Sequence, residues 1–144
     1  MEKTILLAVD GSSGAHNAID YMLGTAEPTH AAVILAYVIE WSPYSFNTPE
    51  ENAERHQRRE SEISRANDQV IAPVKDQLES AGFKVSTVVR HGAPAETLIR
   101  IAHDFDASEI VFGKRGQSGI KSLLFGSVAG SLIQTSDIPI VIVP

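Results

Sequence analysis

Residues 31–39 read AAVILAYVI, nine positions without a charge. Such a run reads as a strand covered on both faces, the kind found in parallel sheets. Reading outward toward the N-terminus, Thr4–Val9, TILLAV, is a second run of this type, closed by Asp10-Gly11-Ser12-Ser13. Between the two strands Ala15, Ala18, Ile19, Met22, Leu23 and Ala26 recur on one helical face. Ser12 or Ser13 serves as N-cap, and Gly24 weakens the helix slightly. On the other side of AAVILAYVI, EWSPYSFNTPEE is a loop that ends in a helix start. Thr48 is the N-cap, Pro49 the first helical position, and Glu51 closes a capping box. The spacing of Ile63, Ala66, Val70, Val74, Leu78 and Ala81 carries this helix to Gly82, a left-handed C-cap. Pro73 inside the pattern predicts a kink or a break. The polar turns EENAERHQRRESE read as a solvated face.

Further along, in FKVSTVVR, Phe83, Val85, Thr87 and Val89 alternate with polar residues, as in a half-exposed edge strand. Pro94 opens a helix with Leu98, Ile99, Ala102 and Phe105 on its apolar side. Ile110–Gly113 is a short fourth strand, a helix is expected to start near Ser127, and IPIVIVP, Ile138–Pro144, is a last strand with prolines at its margins. The order β-α-β-α-β-α-β-α-β predicts a single α/β domain over residues 1–144, with one open five-stranded parallel sheet and helices on both faces. If strands one to three run outward in turn and the fourth returns beside the first, the strand order is 3-2-1-4-5. Ligands in such sheets bind beyond the C-terminal strand ends where the order reverses, here between strands one and four.

Bulk properties narrow the function. The net charge is −6, from 18 acids and 12 bases, which argues against nucleic acid or an anionic membrane as partner. Cysteine is absent, which removes disulfides, zinc thiolates and cysteine nucleophiles. No apolar run reaches the roughly 20 residues needed to span a bilayer, and MEKTILLAVDG lacks a signal peptide's long apolar stretch. The expectation is a cytoplasmic protein without membrane insertion.

Against that acidic background, Gly113–Ser127 reads GKRGQSGIKSLLFGS, with three cations and no acid. From Ile110 to Ser136 there is no Asp or Glu at all. Glycine permits close backbone approach, and successive amides in such turns form anion-binding nests. A helix starting at Ser127 would add free amides and a positive dipole end. A phosphate-bearing ligand accounts for this pattern; so does a plain loop of small residues. The stretch is neither a Walker loop nor G-x-G-x-x-G.

The spacing Gly113-x2-Gly116-x9-Gly126-Ser127 resembles the ATP-binding branch of the universal stress protein family. The resemblance extends to ILLAVDGS, GAPAETLIRIA and the closing DIPIVIVP, and so covers nearly the whole chain. It implies a Rossmann-like fold of the adenine nucleotide alpha hydrolase type, with ATP, ADP or AMP in the crevice between strands one and four. Asp10 would hold the ribose hydroxyls or a Mg or Mn ion on the phosphates. Ala8 and Gly11 would line the same end, and Val38 would receive adenine through its backbone. Gly113, Arg115 and Gly116 would wrap the phosphates, with Gly126, Ser127 and Val128 donating to them. Three aromatics in the Trp41–Phe46 loop would cover the adenine or pack as a lid. Gly130 departs from the expected helix, where it costs about 1 kcal/mol relative to alanine.

No catalytic signature accompanies these residues. His16, His30, His56 and His103 fall in polar contexts, and His91 reads as a polar strand end rather than a base. The resemblance therefore implies a nucleotide-dependent regulator of a partner such as a transporter, with no catalytic residues. It also implies a homodimer paired through Ile138–Val143. The alternatives are a slow Mg- or Mn-dependent ATPase or nucleotide-transferring enzyme, and a nucleotide-free dimeric scaffold.

Overall fold

Both apolar runs are strands. The structure, a computed structural model, describes residues 3–9, 14–25, 27, 31–40, 49–113 and 121–144, and only the backbone at 14–15, 49–53, 55 and 121–127. In chain order the elements are β1 (Lys3–Val9), α1 (Gly14–Thr25), β2 (Ala31–Glu40) and α2 (Pro49–Ala66). A π-turn (Asn67–Ile71) leads into α3 (Ala72–Ser80), followed by β3 (Lys84–Gly92), α4 (Pro94–Asp104), β4 (Glu109–Gly113), α5 (Lys121–Thr135) and β5 (Ile140–Val143).

The strands form one parallel sheet, as the alternation of elements predicts, in the order β3-β2-β1-β4-β5 expected if the fourth strand returns beside the first. In β1, Ala8 lies opposite Ala36 of β2 and Phe112 of β4. Two cores flank the sheet. On one face Leu7, Val33 and Leu35 meet Ala18, Ile19 and Met22 of α1 and Ile71 and Leu78 of the α2–α3 unit. On the other, Leu6, Ile34, Ala36 and Ile110 meet Leu98, Ile101 and Ala102 of α4 and Leu132 of α5. Each fully buried leucine contributes roughly 1.5–3 kcal/mol of transfer free energy. The helices preceding β2 and β3 thus cover one face, and those bordering β4 cover the other. That change of face is the reversal between β1 and β4.

Pro73 acts as expected, by interrupting the helix. It has no N–H to give to Gln69, and the ladder widens just before it: the Ala72 amide bonds to the Asn67 carbonyl, five residues back. The wide turn advances the apolar stripe by one position. Ile71 is therefore the fully buried residue, whereas Val70, which fits a regular helix, is only half-buried.

The end of α3 satisfies its carbonyls in a Schellman motif. The Phe83 amide donates to Leu78 O at 3.1 Å and the Gly82 amide to Glu79 O at 2.9 Å. Gly82 adopts a φ of 102°, open to glycine, while Leu78 and Phe83 are buried in one cluster. This exposes Ala81, contrary to the helical spacing; Phe105, just past the end of α4, is likewise 38% exposed.

Two boundaries are corrected. α5 begins at Lys121, not near Ser127, because Lys121, Leu123 and Leu124 are good helix formers ahead of the glycine. β5 spans Ile140–Val143, shorter than the expected strand. The Ser136 hydroxyl donates to Ile138 O at 2.8 Å and accepts the Ile138 amide at 3.0 Å, which holds Ile138 in a tight turn.

Candidate functional site

The reversal opens the sheet's C-terminal end between β1 and β4. Ala8 sits one residue from the end of β1, buried on the face covered by α4 and α5. Val38 lies two residues beyond Ala36 on that same face, and Val128 of α5 packs into the same cluster. Gly113 ends β4, one residue past the partner of Ala8. Ala8, Val38, Gly113 and Val128 therefore converge on one end of the sheet. Asp10, Gly11, Arg115 and Gly116 lie outside the described residues, as does the Trp41–Phe46 loop.

Gly126 and Ser127 fall in the second turn of α5. A helix leaves only its first four amides without intrahelical partners. With α5 starting at Lys121, the free amides within the helix are those of its first three residues, and Gly126 and Ser127 sit inside the hydrogen-bonded ladder. Gly130 is helical as expected, and a Cβ added there would meet nothing within 4 Å.

His91, the penultimate residue of β3, lies on the face opposite Val128. Its Nε2 lies 3.1 Å from Glu62 Oε2 of α2, and its side chain is only 10% exposed. The pair ties α2 to the rim of the sheet. His103 and Asp137 form a second pair at 2.8 Å on the surface. His16 and His56 are exposed. Among the described residues no group of three histidine or acidic side chains is arranged to hold a metal.

Sequence reasoning missed one feature. Between α4, α5 and the end of β2 runs a groove of about 630 Å³, bordered by Glu40, Pro94, Ile99, Val128, Ser131 and Thr135. It joins three elements distant in sequence, and of its lining only Val128 is a candidate site residue in the sequence reading.

An open parallel sheet with this reversal, covered on both faces and carrying glycine at the end of β4, defines a Rossmann-like α/β protein. The chain belongs to the universal stress protein family, whose family model matches residues 1–144. Universal stress protein MJ0531 of Methanocaldococcus jannaschii is 30% identical over 142 residues, covering 98% of this chain and 81% of that one. The solved structure of MJ0577, from the same organism, matches with a TM-score of 0.79 at 28% identity, covering 99% of this chain and 96% of the other. The universal stress protein of Archaeoglobus fulgidus in complex with dAMP matches with a TM-score of 0.67 at 16% identity, over 100% and 98% of the two chains, a likeness of fold.

Proposed function

We propose that this universal stress protein binds an adenine nucleotide, ATP in the first instance, at the end of the sheet between β1 and β4, and regulates a partner protein such as a transporter. One observation carries the reading: the strand order reverses where Gly113 ends β4, and Gly113 opens the acid-free stretch that contains Lys114, Arg115 and Lys121. Amides and cations at a reversal point suit a phosphate tail. The dAMP held by the A. fulgidus relative supports adenine as the base.

In this reading Asp10 takes the ribose hydroxyls or a Mg or Mn ion, and Gly11 and Ala8 line the same end. Val38 offers its backbone to adenine. Gly113, Arg115 and Gly116 surround the phosphates, and Gly126, Ser127 and Val128 complete their cradle. Because the amides of Gly126 and Ser127 lie inside α5, their donation requires the first turn of α5 to open on binding. Amide spectra with and without ATP report that change directly. Differential affinity of the loaded and empty forms for the partner would be the output.

A ligand at one hundred times its Kd stabilises a protein by about 2.7 kcal/mol. For a chain of this length that is a rise in Tm of roughly 5–10 °C. ATP or AMP should produce such a shift, and Asp10→Ala should weaken binding about 10–100-fold, as loss of a charged hydrogen-bonding group does. No shift with either nucleotide at millimolar concentration, and no adenine compound co-purifying by mass spectrometry, would sink the reading. Turnover on the order of 1 s⁻¹, abolished by Asp10→Ala, would favour an enzyme instead.

The same reading includes a homodimer. β5 is an edge strand of the sheet, and Ile133 of α5 is 60% exposed. Apolar edges of this kind are pairing surfaces for a second copy. Light scattering that shows a monomer at micromolar concentration would exclude it.

A further inference from the structure

Among the described residues, the groove between α4 and α5 meets the proposed nucleotide site at Val128. Its volume, about 630 Å³, lies within the roughly 300–1,000 Å³ typical of small-molecule sites. Ile99, Val128 and the Ala93–Ala95 turn give it apolar walls. Its polar groups are the carboxylates of Glu40 and Glu96 and the hydroxyls of Ser131 and Thr135, and no cation is among the described residues that line it. The Thr135 hydroxyl already donates to the Ser131 carbonyl at 2.6 Å, so it presents acceptor lone pairs to its surroundings.

Glu96 stands in the first turn of α4, where its charge complements the helix dipole and leaves that end no net pull on an anion. Its contact with Arg100, 3.4 Å between two side chains 63% and 73% exposed, is of the weak kind that an incoming cation displaces. The groove therefore combines an apolar body with a rim that accepts hydrogen bonds and carries negative charge.

We propose that this groove binds a small organic amine: a primary ammonium on an apolar, aromatic or alicyclic body. The ammonium donates at the rim of Glu40 and Glu96 while the body covers Ile99 and Val128. The proposal does not rest on the nucleotide reading, although the two sites share Val128, and it is tested without nucleotide.

The test is an amide NMR titration of the full chain with 4-phenylbutylamine. With roughly eleven heavy atoms, a probe of this size is expected to bind with a Kd of about 4 mM. Saturating shifts should centre on Glu40, Ala95, Glu96, Val128 and Ser131. The neutral analogue 4-phenylbutanol should bind about fivefold more weakly, and the anion 4-phenylbutyrate should leave these amides unmoved. The double variant Glu40→Gln/Glu96→Gln, altered only at exposed side chains, should lose about five- to tenfold in amine affinity and keep its affinity for the alcohol. Equal binding of amine and alcohol, unchanged amine affinity in the double variant, or shifts centred elsewhere would each overturn the proposal. So would equal affinity for N-acetyl-lysine methylamide, which would make the groove a reader of lysine side chains on a protein.

Discussion

Gly92, the last residue of β3, touches Thr97 so closely that a methyl group added to it would stand 2.4 Å from the Thr97 Oγ1. Thr97 cannot retreat easily. It is 5% exposed, and its amide is fixed to the Ala93 carbonyl at 2.9 Å in the first turn of α4. Gly92→Ala should therefore force a rotamer change or a shift of the β3–α4 junction. Overpacking of this kind costs about 1–3 kcal/mol. The φ of 158° adds backbone strain for alanine, so about 2–3 kcal/mol is expected. That corresponds to a fall in Tm of roughly 8–12 °C, at about 4 °C per kcal/mol for this chain length.

Thr97→Ala alone should cost about 1 kcal/mol through lost buried atoms. In the Gly92→Ala background it removes the atom that collides. The double variant should then be at least about 1 kcal/mol more stable than the sum of the single losses, well beyond the roughly 0.3–0.5 kcal/mol scatter of independent sites. Urea denaturation followed by circular dichroism measures all four corners of the cycle. A wild-type midpoint for Gly92→Ala, or strict additivity in the double variant, would refute the close-packing argument.

Three other outcomes follow from the same geometry. Gly130→Ala adds a methyl where nothing lies within 4 Å and should raise stability by about 0.5–1 kcal/mol in urea denaturation. Ile71→Ala should cost about 2–5 kcal/mol and Val70→Ala about 1 kcal/mol, because the π-turn buries the first and only half-buries the second; the reverse ranking would mean a regular helix through this segment. Ile133→Glu should shift the size-exclusion profile from dimer to monomer with a change in monomer stability within about 0.5 kcal/mol, since the side chain is 60% exposed.

The sheet was legible because its central strands are almost pure apolar runs. Residues 5–9 and 33–36 are buried on both faces, so composition alone announced them. Alternation gave the parallel sheet; the strand order rested on the further supposition that the fourth strand returns beside the first, which the structure bears out. Less was legible where local signals competed. Gly126-Ser127 looks like a helix start, yet the helix formers before it extend α5 backward to Lys121. Pro73 announced a disturbance, but which residue would take the core position depended on tertiary packing against the sheet. Of the candidate residues, Ala8, Val38 and Gly113 lie at or near strand ends, which the order of elements fixes; Val128, expected just after a helix start, instead lies in the second turn of α5. The groove could not be placed in advance. Glu40, Ile99 and Thr135 share no motif, and only the packing of α4 against α5 brings them together.

The widened turn at 67–71 holds one residue of slack in the longest helical stretch of the molecule. Remove a residue there and an ordinary helix can close the gap, joining Ala66 to Leu78 with both still facing the strands. Length can therefore vary at this point while the sheet and the ligand-facing side of the protein remain as they are.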